Sequence, residues 1–332
     1  MRKDIQIPVI NLLRGIAAVA VCLYHFVVTT TGYIQSKSVL GLFQYGRFGV
    51  QLFFIISGIV IPLSLIRSNY QIQYIYKYLL KRFVRIEPPY LFAIVLGILF
   101  LYVRNFVPSS APGDYFPSIT DVLLHLGYLV PFFEGAKWVN TVFWTLAVEF
   151  QYYIFLALLF PLALSDRKPL RWVFNAIVVV APFLLSSPRF FPHWSSFFGL
   201  GIFYSLYLTK KYNLTEYIIC TILCCFVVYT NQGAINTGIA VVTLSTVHLF
   251  ADHNNKLGAY LGSISYSLYL LHSTFGSGFI NFMSHRFTSP LEKLLVIALG
   301  LLISISAAHV LWKLVEKPSQ ILSKRIKLSS NK

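Results

Sequence analysis

Charge is scarce in this chain, and negative charge is the scarcest: Asp and Glu supply 11 of 332 residues, and charged residues of both signs make up 11%. A soluble domain carries about 25% charge, so an ordinary water-soluble globular protein is excluded. Cysteine is also rare. Cys22, Cys220, Cys224 and Cys225 all fall inside apolar segments, which argues against a disulfide framework, and Cys224-Cys225 has no histidines at zinc-ligand spacing. They read as small packing residues, and no metal is expected. The chain shows no internal repeat of the kind many transporters carry.

What the sequence has in abundance is apolar surface: 57% of it is hydrophobic and the mean hydropathy is +0.69. These values describe an all-α polytopic membrane protein. The net charge of +16 would suggest nucleic acid in a soluble chain. Here the basic residues sit between apolar runs, so membrane topology and an anionic lipid surface account for them, and no nucleic-acid partner is expected.

About ten stretches are long enough for a ~30 Å hydrocarbon core. They lie near 8–30, 48–66, 88–103, 141–163, 172–187, 194–209, 213–230, 236–251, 257–282 and 291–313. Residues 118–133, interrupted by Asp121, His125 and Pro131, read as a re-entrant or surface segment. Counting Lys and Arg in alternate loops gives nineteen on the side of the N-terminus and seven on the other. That asymmetry places both termini in the cytoplasm. Arg2 and Lys3 before an apolar run mimic a signal peptide, but Arg14 interrupts the run and no small-residue cleavage site follows. The expected organisation is a transmembrane domain over 1–315 and a short basic cytoplasmic tail over 316–332, too short to fold alone and lying on the lipid surface.

Ionisable residues inside the spans are the candidates for chemistry, because each costs a few kcal/mol there. Arg14 and His25 share the first span; eleven residues separate them, about 16 Å and three turns plus ~20°, so they share one face. Snorkelling also fits Arg14, and an interhelical hydrogen bond also fits His25. Arg82 and Arg85 lie three apart on one face of a helix that Pro88 and Pro89 should end or kink. A guanidinium pair suits phosphate, although ordinary anchoring beside lipid head groups fits as well. Glu149 is an intramembrane carboxylate at a depth similar to that of His25, which predicts a His25–Glu149 contact able to serve as a general base or as a structural ion pair. Ser57-Gly58 reads as a close helix contact. His272 places a second histidine in the outer half of the ninth span.

Taken in order, six blocks resemble the integral-membrane acyltransferase-3 family. They are Arg14-Gly-Ile-Ala-Ala with His25, Phe53-Phe-x-x-Ser57-Gly58, Arg82-x-x-Arg85-Ile-x-Pro, Trp144-x-Leu-x-Val-Glu149-x-Gln-x-Tyr153, Ser265-Tyr-x-Leu-Tyr-Leu-Leu-His272 and Glu316-Lys-Pro318. Ile59, Thr145 and Phe150 depart from the usual pattern, and Phe150 leaves Glu149 as the sole carboxylate of its block. The resemblance implies a bacterial inner-membrane enzyme that moves an acetyl group from cytoplasmic acetyl-CoA to a hydroxyl of a lipid-linked or nascent surface glycan, with lipopolysaccharide O-antigen foremost. It implies His25 and Glu149 as catalytic residues and Arg14, Arg82 and Arg85 as donor-binding. Trp144, Tyr153 and His272 are carried over as substrate-binding. A homo-oligomer is left open. The competing reading from another class is a proton-coupled transporter or lipid-linked-glycan flippase, since such proteins also carry intramembrane Arg, His and Glu; a catalytically silent scaffold is the third.

Overall fold

An apolar chain that cannot pair its backbone with water must pair it within each segment, and in a membrane that leaves the helix as the local solution. The computed structural model describes residues 5–30, 32–104 and 116–328. It is 81% helical, with no strand among the described residues. In chain order the helices are α1 (Val9–Tyr24), α2 (Lys37–Phe43), α3 (Gly49–Arg67), α4 (Ile75–Arg104), α5 (Ile119–Leu126), α6 (Trp144–Ala163) and α7 (Lys168–Leu184). They continue as α8 (Phe191–Leu208), α9 (Leu214–Gln232), α10 (Ala234–Leu249), α11 (Lys256–Leu271), α12 (Gly278–Met283), α13 (Pro290–Leu311) and α14 (Lys317–Arg325). Three π turns extend α1, α11 and α13, at His25–Thr29, His272–Ser277 and Trp312–Glu316. Polar caps set several starts: Ser118 with Asp121, Asn213 with Glu216 and Ser289 with Glu292 each close a capping box.

All ten expected apolar stretches fall on helices. Six segments are long and apolar enough to cross a membrane: Val9–Thr29, Lys37–Arg67, Ile72–Arg104, Thr141–Ala163, Leu214–Gln232 and Pro290–Arg325. The protein is therefore a multi-pass membrane protein. Its exposed belt is apolar, with Phe92, Val95 and Leu99 on α4, Ile222 and Phe226 on α9, and Leu295, Leu299 and Leu302 on α13 facing outward. α8 differs from these: its residues from Trp194 to Leu206 are buried, and the other helices wrap it. Small residues allow that enclosure. A Cβ on Gly58 would stand 2.2 Å from the Phe198 carbonyl oxygen, and one on Gly201 would stand 2.2 Å from that of Ile55, so α3 and α8 cross almost backbone to backbone. Gly58 thus makes the close helix contact expected of Ser57-Gly58. The four cysteines are free thiols, three of them buried and Cys225 half-buried.

Two expectations about element ends are corrected. Pro88 and Pro89 do not end a helix: α4 runs unbroken from Ile75 to Arg104. Neighbouring segments flank the proline pair, with Tyr266 donating to the Ile86 carbonyl at 2.9 Å and Tyr128 donating to Glu87 at 2.6 Å. Arg82 and Arg85, expected on one face of a helix, lie in this same long helix. The tail is likewise not a free surface segment. α14 lies against α4, where Ser323 Oγ donates to the Lys81 carbonyl at 3.0 Å and Lys81 Nζ donates to that of Ile326 at 3.2 Å. Residues 1–4 and 329–332, including Arg2 and Lys3, lie outside the described residues.

The stretch expected as re-entrant forms α5 and the turns after it. Fully buried His125 pins it: Nδ1–H donates to the Asp121 carbonyl at 2.6 Å, and Nε2 accepts the Val139 N–H at 3.1 Å.

Candidate active site

Two cavities lie end to end inside the bundle. The first holds about 980 Å³ of empty space, and its walls bring together parts of all six sequence blocks: Arg14, Ser57, Arg82, Arg85, Glu149 and Glu316, with Tyr153 and Tyr266. Each polar group reaches it for a local reason. Arg14 sits in the second turn of α1; Arg82 and Arg85 project from the same face of α4; the π turn before α14 swings Glu316 inward.

Both carboxylates are occupied by neutral donors. Glu149 Oε1 accepts from Tyr153 OH at 2.7 Å and from Ser57 Oγ at 3.2 Å. Glu316 Oε2 accepts from Ser267 Oγ at 2.6 Å and from its N–H at 3.2 Å, while Oε1 takes Gln320 Nε2 at 2.8 Å. Arg82 is the opposite case. It is 4% exposed, its guanidinium lies over the rings of Tyr78 and Tyr153, and its Nε and one Nη are buried without a hydrogen-bond partner. Buried guanidinium donors without an acceptor are costly. A cavity with three guanidinium groups against two satisfied carboxylates is suited to an anionic ligand.

The second cavity, about 850 Å³, opens at the end of the bundle where α1 finishes and α3, α6 and α8 begin. His25, Gln51, Trp144 and Trp194 line it, and Val50 and Tyr269 line both cavities. Tyr269 is held in place, with its hydroxyl 2.9 Å from Thr145 Oγ1 and 3.2 Å from the Val142 carbonyl.

His25 and Glu149 are not in contact, which corrects the sequence expectation. The partner of His25 is His272, with ring centroids 5.1 Å apart. The reason is helix packing: α1 lies chiefly on α11 and α3, whereas Glu149 is carried by α6. At His25, the Thr29 hydroxyl lies 3.2 Å from Nδ1 and 2.9 Å from the His25 carbonyl, which also accepts from the Thr30 hydroxyl at 2.9 Å. When Nδ1–H donates to the Thr29 hydroxyl, the neutral ring presents Nε2 as a base. His272 is fully buried and follows the same rule: Nδ1–H donates to the Tyr269 carbonyl at 2.8 Å, and Nε2 has no partner.

Comparison with known proteins shows the family. Residues 7–309 match the acyltransferase-domain family known as acyltransferase 3. The chain belongs to the acyltransferase-3 family. A protein of Acidianus two-tailed virus named "Putative acetyltransferase ORF330" is 27% identical over 300 residues, covering 82% of this chain and 84% of its own length. No solved structure matches the chain.

The protein is accordingly an acyltransferase, and its residues divide between the cavities. Arg14, Arg82, Arg85, Glu149 and Tyr153 belong to the first; His25 and Trp144 belong to the second; His272 stands behind His25 and lines neither. Sequence reasoning missed Gln51, Trp194, Tyr269 and the inward position of Glu316. Gln51 had a signal, being an amide inside an otherwise apolar run. Tyr269 lay inside the fifth block without being singled out, and Trp194 had no signal, since an aromatic residue in an apolar helix is ordinarily packing.

Proposed function

We propose that this acyltransferase moves an acetyl group from acetyl-CoA to a hydroxyl of a surface glycan. The observation that carries the reading is the arginine-lined cavity ending against the chamber of His25, with only Val50 and Tyr269 shared between them. Arg14, Arg82 and Arg85 hold the donor's phosphates, which supply the acceptors that the buried Arg82 donors lack. The thioester reaches His25 past Tyr269. His25 Nε2 removes the acceptor hydroxyl proton as the oxygen attacks the acetyl carbonyl; the C–O ester bond forms, the C–S bond breaks, and the proton passes to the departing CoA sulfur. Glu149 acts from the donor side as a positioning residue, fixing Ser57 and Tyr153.

In this reading ten helices cross the inner membrane of a bacterium, with both termini cytoplasmic. The donor enters from the cytoplasm, and a lipid-linked or nascent glycan, foremost lipopolysaccharide O-antigen, is acetylated at the periplasmic side. The excess of Lys and Arg on the side of the termini supports that orientation. The test is NMR of glycan O-acetyl groups in cells expressing the wild-type chain or His25→Ala at equal membrane levels. Acetyl signals that depend on the chain and vanish in the variant support the reading; equal signals in both defeat it.

A further inference from the structure

The two cavities meet at a hydroxyl group. Val50 and Tyr269 line both of them, and the Val50 side chain has no polar atom. The partners of the Tyr269 hydroxyl lie on either side of it. Thr145, whose Oγ1 is 2.9 Å away, lines the first cavity, and Val142, whose carbonyl is 3.2 Å away, lines the second. The ring itself is held. Phe53 packs edge-on against it at 5.9 Å, and His272 Nδ1–H donates to the Tyr269 carbonyl at 2.8 Å. The hydroxyl is thereby fixed at the junction that an acetyl thioester must reach to meet His25.

A count of hydrogens shows that this hydroxyl has one to spare. Thr145 and Tyr269 each bring a hydroxyl hydrogen to the Val142 carbonyl, which lies 3.1 Å from Thr145 Oγ1 as well. Thr145 can satisfy that carbonyl alone, so the phenol can turn its hydrogen to a ligand without stranding a buried acceptor. The reaction needs such a donor. When the acceptor oxygen attacks, the C=O electron pair moves onto the acetyl oxygen, which stays negative until the pair returns and the C–S bond breaks. His25 Nε2 takes the hydroxyl proton and the arginines hold the phosphates, which leaves that oxygen unassisted. The other cavity donors are placed or committed elsewhere: Arg14, Arg82 and Arg85 line only the first cavity, and Arg47 and Trp144 only the second. Ser57 Oγ is bound to Glu149 and Gln51 Nε2 to Asn236. Thr145 also stands in the first turn of α6, the end of a helix that favours negative charge.

We infer that Tyr269 is a further catalytic residue, whose hydroxyl donates a hydrogen bond to the acetyl carbonyl oxygen of the bound thioester and holds the negative charge that develops there during transfer. The inference rests on the reading above for the identity of the donor. Thr145 is then a positioning residue: it takes over the Val142 carbonyl and lets the phenol turn.

Isotope-edited infrared spectroscopy tests this directly, using acetyl-CoA labelled with carbon-13 at the thioester carbonyl and bound to the full chain in lipid nanodiscs, with calorimetry on the same preparations. A hydrogen bond to the carbonyl oxygen lowers its stretching frequency. The expected result is a band below that of free acetyl-CoA in the wild type, returning towards the free value in Tyr269→Phe at unchanged acetyl-CoA affinity. Turnover of acetyl-CoA by that variant should fall about a hundred- to a thousandfold, the usual cost of one lost oxyanion donor. Substituting 3-fluorotyrosine at position 269 keeps the hydroxyl and the packing while making the phenol a stronger donor, so the band should move lower still, whether or not the Phe variant folds. If the wild type binds acetyl-CoA but the band is the same with tyrosine and 3-fluorotyrosine, or if Tyr269→Phe binds acetyl-CoA and turns it over at the wild-type rate, the inference is overturned and the donor reading stands. A folded wild-type protein that binds no acetyl-CoA overturns the donor reading and the inference with it.

Discussion

His25 and His272 are the first residues of two matching π turns, and their rings meet at 5.1 Å. The match extends down the helices. A Cβ on Gly15 would touch the Gly262 backbone nitrogen at 3.2 Å, and each glycine precedes its histidine by ten residues. α1 and α11 are therefore parallel, held close at their glycines and opened into wider turns where the histidines meet. Such turns are frequent at functional sites.

His272 should accordingly act through His25. Replacing it by Phe overfills the fully buried site and removes the imidazole beside His25 but touches no donor-binding group. The expected result in steady-state assays is kcat reduced about ten- to a hundredfold with KM for acetyl-CoA unchanged. A rise in KM with kcat intact would place His272 on the donor instead.

The arginines should show the opposite pattern. Arg14→Ala, Arg82→Ala and Arg85→Ala each remove charge-assisted hydrogen bonds worth about 1.5–3 kcal/mol, which is a KM for acetyl-CoA raised roughly ten- to a hundredfold. Thiol release monitored against donor concentration measures it. Dephospho-CoA thioesters should be less sensitive to these substitutions than the full donor, and equal sensitivity would count against phosphate contacts.

Gly58 and Gly201 let α3 and α8 approach, so Gly201→Val should damage the fold and not the chemistry alone. Its Cβ would stand 2.2 Å from the Ile55 carbonyl oxygen, and overpacking of this kind costs about 1–3 kcal/mol or more. Thermal unfolding in detergent should show a lowered midpoint, and Gly201→Ala should fall between.

The segment around α5 should loosen in acid. His125 Nε2 accepts the Val139 N–H, so protonation sets one N–H against another. Burial lowers its pKa from 6.5, and a base with a lowered folded-state value contributes stability that is present above its unfolded pKa and lost as pH falls below it. The protection of the Val139 amide, its exchange compared with the intrinsic rate at each pH, should therefore fall as pH drops below about 6.5. His125→Asn, which can still accept that N–H, should remove the pH dependence.

The positions of the helices were legible because each apolar run is bounded by polar or charged residues, and the six blocks were legible because Arg, Ser, Glu and His are conspicuous in such runs. The partners were less so. Spacing along a helix gives depth, but it does not say which neighbour a helix packs on, and so His25 was expected beside Glu149 when α1 in fact lies on α11. Pro88 and Pro89 read as an end or a kink because their missing N–H groups are local, whereas the contacts that flank them in the fold, from Tyr128 and Tyr266, come from 41 and 180 residues away in the chain. The π turns have no short-range signature, and without them neither the His25–His272 pair nor the inward turn of Glu316 could be foreseen.

The central claim is that His25 is the base in a transfer from acetyl-CoA. The most direct measurement is acetyl-CoA consumption by purified wild-type and His25→Ala protein in lipid nanodiscs, with donor binding checked in parallel. The account predicts that both bind acetyl-CoA with similar affinity and that the variant turns it over at least about a hundredfold more slowly. Equal turnover by the two proteins would contradict it.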